Sequence, residues 1–130
     1  MKKTVILLIA LAFAELTTAQ KINKKFIGNW SGYVVEFHDD QPSLFEIEIA
    51  IQSDQAIVSY VIPGNKCFGT LTLSEQNKGS LIFDETIISG VCLNDGRIEL
   101  NLTGENSITY FWSSKTNSGE LSYGELRRLK

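Results

Sequence analysis

The residues of this chain that could do chemistry are few, and most of them sit inside runs of alternating apolar and polar residues. Glu85 is the most informative. It falls in phase with Leu81, Phe83 and Ile87, and successive strand side chains point to opposite faces, so the alternation turns its carboxylate toward the apolar side. A carboxylate there is costly unless paired. Arg128, Tyr60 and Tyr110 are the partners the sequence offers. Tyr60, Tyr110 and Trp112 share the inward phase of their own runs, so with Glu85 they form the expected ligand-reading set.

The other chemical candidates exclude more than they suggest. His38 is the sole histidine, and with Glu36, Asp39 and Asp40 it fits no strict metal-ligand spacing, so no metal and no cofactor are expected. A His-dependent triad would have to use His38, and no serine has a nucleophile-elbow context. No Gly-rich phosphate loop precedes a helix. No basic patch interleaves with aromatics, and the net charge is −3, so nucleic acid is not an expected partner. The expectation is a protein that is not an enzyme.

These residues need elements to position them, and the chain supplies eight strand-like runs. Phe45, Ile47, Ile49 and Ile51 share one face against Glu46 and Glu48; Val58, Tyr60 and Ile62 repeat the pattern. Leu71 with Leu73, then Leu81, Phe83 and Ile87, then Ile98, Leu100 and Leu102, then Ile108, Tyr110 and Trp112 continue it. The first run spans about Phe26 to Phe37 and the last about Glu120 to Arg128. Turn-forming clusters separate them: residues 38–43, Ser53-Asp54-Gln55, residues 63–66, 75–79, Asn94-Asp95-Gly96, residues 104–106 and Asn117-Ser118-Gly119.

Short links suit antiparallel neighbours, and no 3.6-residue periodicity is sustained. The expected fold is all-β: an eight-stranded antiparallel up-and-down barrel, which removes exposed edges, with a two-sheet sandwich as the alternative. An outer-membrane barrel needs strands of about 9 to 11 residues with the apolar face outward, longer than most of these runs. Trp30, Phe45, Tyr60, Phe83, Tyr110 and Trp112 are large inward residues, with Gly32 and Gly69 the only small inward positions. The interior is therefore expected to be filled at one end, with any pocket shallow and at the open mouth.

The first nineteen residues read as an export signal. Lys2 and Lys3 precede the apolar stretch Val5–Ala14, and Thr17-Thr18-Ala19 offers a cleavage site, with Ala12-Phe13-Ala14 as a second. The stretch is too short to span a bilayer. Residues 20–130 then form a single domain. In an exported chain, Cys67 and Cys92 are expected to form a disulfide, whose loop closure contributes about 3 kcal/mol on the chain-entropy account.

Gly28-Asn29-Trp30 resembles the Gly-x-Trp signature of the calycins, the group joining lipocalins, fatty-acid-binding proteins and avidins. The resemblance implies a Trp30 packed at the closed end of the barrel, with Arg128, or failing it Arg127, laid across the ring. A wider likeness is to small bacterial extracytoplasmic barrel domains, some appended to serine/threonine kinases. It runs through Gly28, Trp30 and Gly32; Cys67, Gly69 and Leu71; Glu85; Cys92; Tyr110 and Trp112; and Gly124, Leu126 and Arg128. It implies the same fold and the Cys67–Cys92 bridge, and no activity. These 130 residues hold no kinase pattern, so a kinase-linked sensor role is not carried over.

The expected function is that of a secreted or periplasmic lipocalin-like module binding a small apolar or amphipathic molecule at its mouth. The alternative is a filled barrel that binds another extracytoplasmic protein through its outer surface, as an inhibitor or interaction protein.

Overall fold

The computed structural model describes residues 20–38, 40–62 and 64–130; the expected export signal lies outside the described residues. Eight strands follow in order: β1 (Gly28–His38), β2 (Gln41–Ile51), β3 (Ala56–Ile62), β4 (Asn65–Gln76), β5 (Ser80–Ser89), β6 (Gly96–Leu102), β7 (Ser107–Ser114) and β8 (Leu121–Arg128). Each pairs antiparallel with the next, and β8 returns to β1, so the sheet closes into a barrel and not a sandwich.

The alternation read from the sequence places the side chains. Trp30, Ile47, Ile49, Phe83, Ile98, Leu100, Ile108 and Leu126 are fully buried in the lumen. Glu46, Arg97, Glu125 and Arg127 are exposed on the outer wall. Apolar side chains inside and charges outside is the reverse of the distribution a bilayer-spanning barrel requires.

One end of the barrel is plugged. A single 3₁₀ turn, Lys24–Phe26, is capped by the Asn23 side chain, which accepts from the Lys25 amide at 3.1 Å. It drives Phe26 and Ile22 into the floor, where both are buried. Phe26 therefore lies just before the first strand and not within it. The break comes at Gly28, whose φ of +141° suits glycine alone. A Cβ there would also stand 2.6 Å from Nη1 of Arg128. Trp30 Nε1 donates to the Phe26 carbonyl at 2.9 Å, and the Arg128 guanidinium lies 4.2 Å above the Trp30 ring. Arg128 also donates to the carbonyls of Ile27, Lys25 (2.9 Å) and Glu105 (3.3 Å). Gly28, Trp30 and Arg128 are thus one unit, and Arg128 is the cation over the ring.

The opposite end is open, and it departs most from the sequence reading. The cluster at 38–43 is not a long loop. His38 pairs with Gln41, and Asp40 takes φ +67°, a left-handed turn its short side chain tolerates. Beyond Glu46, β2 has no β3 neighbour, so this edge accepts Pro42. Asn94-Asp95-Gly96 is not a tight hairpin either. The β5–β6 ladder stops at Asp84–Arg97, and residues 90–95 form a longer loop. Cys92 in that loop is bonded to Cys67 on β4, with Cα atoms 6.1 Å apart. The Asn94 side chain accepts from the Ile87 amide at 2.7 Å, in place of a strand neighbour.

The floor gives a direct expectation. Replacing Arg128 with Met keeps the apolar stem but removes the cation–π contact and three charge-assisted hydrogen bonds. Urea denaturation should show a loss of about 2–3 kcal/mol; a loss below about 0.5 kcal/mol would mean the guanidinium does not hold the floor.

Candidate functional site

The mouth holds a cavity of about 210 Å³. Tyr60, Glu85, Tyr110 and Trp112, the four side chains expected to read a ligand, all line it, together with Phe45, Ser122, Glu36, His38 and the 91–93 loop. Their convergence follows from topology. β3 and β7 stand four strands apart in a ring of eight, so Tyr60 and Tyr110 face each other across the lumen, with hydroxyls 3.4 Å apart. β5 lies between them and brings Glu85 to the same level. The Tyr60 hydroxyl donates to Glu85 Oε2, and Trp112 Nε1 donates to Oε1 at 3.0 Å. This polar crossbar forms the cavity's base, above the apolar core.

Of the partners expected for Glu85, Tyr60 is one, and Trp112 is one the sequence reading missed. Arg128 is not one. It sits at the far end of the barrel on Trp30, because the strand that carries it ends at the floor. Glu85 is only 5 % exposed, and among the described residues no cation pairs with it.

Gly96 explains why the crossbar fits. It lies one step beyond the last β5–β6 pair, opposite Glu85, and a Cβ on it would overlap both the Trp112 indole nitrogen and Glu85 Oε1. Gly96 and Gly124 join Gly32 and Gly69 as inward positions, which corrects the expectation of only two. Gly96 shares the phase of Ile98 and Leu100, a signal masked by its place in a turn-like tripeptide. Ser122 was legible the same way, two and four residues before Gly124 and Leu126.

The electrostatics of the crossbar are set by burial. Removal from water raises the Glu85 pKa; the donors Tyr60 and Trp112 pull it down, and the nearby Asp95 charge pushes it up. Burial also raises the Tyr60 phenol, reinforced by Tyr110 and Glu85, and raises Tyr110, with the Glu85 charge adding to it. Both phenols therefore stay protonated at neutral pH and remain hydrogen-bond donors. Asp95, outside the crossbar, is held below its ordinary value by the Ser114 and Thr116 hydroxyls.

On the rim, His38 stands between Glu36 (3.2 Å) and Glu120 (3.6 Å). Among the described residues no group of three or more His, Cys, Asp or Glu side chains could hold a metal. Asp39, considered beside His38 in the sequence, lies outside the described residues.

No protein-family model matches this chain, and no curated protein does. Solved structures do match in shape. One is a redesigned β-barrel, with a TM-score of 0.55 and 18 % identity over 82 % of this chain and 93 % of that one. Another is a de novo designed fluorescence-activating β-barrel, with a TM-score of 0.51 and 17 % identity over 82 % of this chain and 95 % of that one. At these identities the likeness is one of fold: a closed eight-stranded antiparallel barrel.

Two measurements test the crossbar. The folded Glu85 pKa lies above its ordinary 4.5, so the folded state holds this proton more tightly than the unfolded chain. The resulting stability is full below about pH 4.5 and is lost as pH rises through the folded value. Glu85→Gln should remove that descent from a plot of melting temperature against pH, leaving the acid limb due to Asp95; a profile parallel to the wild type would overturn it. Gly96→Ala should cost about 1–3 kcal/mol by overpacking and shift the Trp112 emission, whereas an unmoved spectrum would mean the pair has room to spare.

Proposed function

We propose that the protein is an exported, lipocalin-like binding module that holds a small apolar or amphipathic molecule at the barrel mouth without turning it over. The observation that carries this reading is the cavity of about 210 Å³, with apolar walls and a hydrogen-bonding base. Ligand sites are commonly concave and mostly apolar, with a few polar groups that fix orientation. Here Tyr60, Glu85, Tyr110 and Trp112 take the polar role, and Phe45, Ile62, Val91 and Leu93 supply the walls.

Binding without catalysis suits the remaining inventory. His38 is engaged by two carboxylates, and both cysteines are consumed by the bridge. That bridge fits an oxidising compartment, as does the leader-like sequence, and supports a secreted or periplasmic location in a bacterium. The Gly28–Trp30–Arg128 floor has the arrangement that the calycin likeness implies. The designed barrel of similar shape is fluorescence-activating, which makes ligand capture compatible with this architecture.

A second reading rests on the outer wall. Leu44, Val35, Tyr123 and Phe111 lie side by side across β2, β1, β8 and β7, with Phe37 stacked on Tyr123 at 6.0 Å. Leu44, Tyr123 and Phe111 are exposed. An apolar row of this kind favours the alternative of an interaction protein that binds through its surface.

The two tryptophans separate these readings. Titration with 2-phenylethanol should shift the Trp112 indole resonance saturably and leave Trp30, buried at the floor, unmoved. Ser122→Leu, which fills the cavity, should abolish the shift. An unresponsive Trp112, together with no small molecule in native mass spectra of the purified protein, would move the assignment to the outer wall.

A further inference from the structure

The charges around the cavity narrow the class of ligand. Among the described residues its lining holds two carboxylates, Glu36 and Glu85, and no lysine or arginine. The one described lining residue able to carry positive charge, His38, stands between Glu36 and Glu120. Of the lysines flanking this end, Lys115 is engaged by Asp84 at 2.8 Å, and Lys66, next to the lining residue Asn65, is exposed in the outward phase of β4. Glu85 accepts from Tyr60 and Trp112, yet an ionised carboxylate has about four acceptor sites, so roughly two remain. An ionised Glu85 would set a negative charge beside a cavity whose described lining holds no lysine or arginine.

The walls suit the same ligand. Phe45, Tyr60, Tyr110 and Trp112 surround the space, and their ring faces attract cations. Size sets the rest. A cavity of about 150 Å³ holds one benzene, so 210 Å³ takes a single ring, or an aliphatic body of similar bulk, with a short polar arm. An anion would meet Glu36 and Glu85 head on. A neutral molecule would leave Glu85 uncompensated.

We infer that the mouth cavity selects small organic cations, primary amines of about one ring in size, with the ammonium donating to Glu85 and the body packed against the aromatic walls. This rests on the mouth cavity being the binding site, as proposed above. Glu85 is the specificity-determining residue; Glu36, farther out on the rim, guides the charge inward. The crossbar leaves the Glu85 carboxylate oriented before the ligand arrives, since Tyr60 and Trp112 hold both its oxygens. The ammonium then adds to an existing set of hydrogen bonds and displaces none.

Three single-ring probes of similar size separate charge from shape: 2-phenylethylammonium, 2-phenylethanol and phenylacetate, each titrated at pH 7.5 with the Trp112 indole resonance as readout. The ammonium should bind about ten- to a hundredfold more tightly than the alcohol, the range expected of one hydrogen bond to a charged group, and phenylacetate should bind most weakly. Glu85→Gln should cut the ammonium's advantage over the alcohol, taken as the ratio of the two affinities within the variant, to below about threefold. Glu36→Gln, farther out on the rim and not hydrogen-bonded to Glu85, should weaken the ammonium severalfold more than the alcohol. Equal affinity for the alcohol and the ammonium would overturn the charge selectivity and leave the mouth site standing, as would a Glu85 that stays protonated and confers no preference. If none of the three moves Trp112, the mouth site itself fails.

Discussion

Everything in this molecule depends on β8 finding β1. Seven antiparallel hairpin steps would leave two unpaired edges, and the pairing of Trp30 with Arg128 and of Val34 with Gly124 removes both. Closure turns one face of a sheet into an enclosed lumen, so residues far apart in sequence come to share one interior. It also explains why the floor is so densely bonded. Arg128 reaches the carbonyls of Lys25, Ile27 and Glu105, and the Leu129 amide donates to the Asn29 carbonyl at 2.7 Å, tying the start of β1 to the end of β8 at the floor.

A barrel plugged at one end keeps its lumen cavity at the other. The floor takes Phe26, Trp30 and Ile22, and the middle is filled by isoleucine and leucine. Only near the mouth do polar groups enter, and they enter as a connected set. A lone buried carboxylate would be costly. Glu85 is tolerated because two donors, held by packing on β3 and β7, converge on it. Gly96 supplies the missing volume that lets them do so. The disulfide holds the 90–95 loop to β4 where the β5–β6 ladder has stopped, so the cavity keeps its wall where the sheet gives out.

Much of this was legible in residue order. Period-two alternation gave the eight strands, the inward face and the phase of Glu85, because half-buried strands cannot hide their pattern. The link between β1 and β2 is tighter than the 38–43 cluster suggests, since Pro42 reads as a loop residue until one knows that its edge of β2 has no β3 neighbour. Asn94-Asp95-Gly96 looked like a tight turn because Gly, Asn and Asp favour positive φ. Its actual role, a loop end with Asn94 bonding Ile87 and an inward Gly96, depends on where the ladder stops.

The order of residues by itself determined the class of the fold, the buried side of each strand and the pairing of the only two cysteines. Those features depend on local periodicity and on composition. Tertiary structure alone decided which buried groups meet. Glu85 could have turned to Arg128 or to the tyrosines, and the direction of β8 carries the arginine to the floor while ring geometry sets Tyr60 opposite Tyr110. Strand phase says which way a side chain points, but not what stands across the lumen from it, because that distance is fixed by how many strands close the ring.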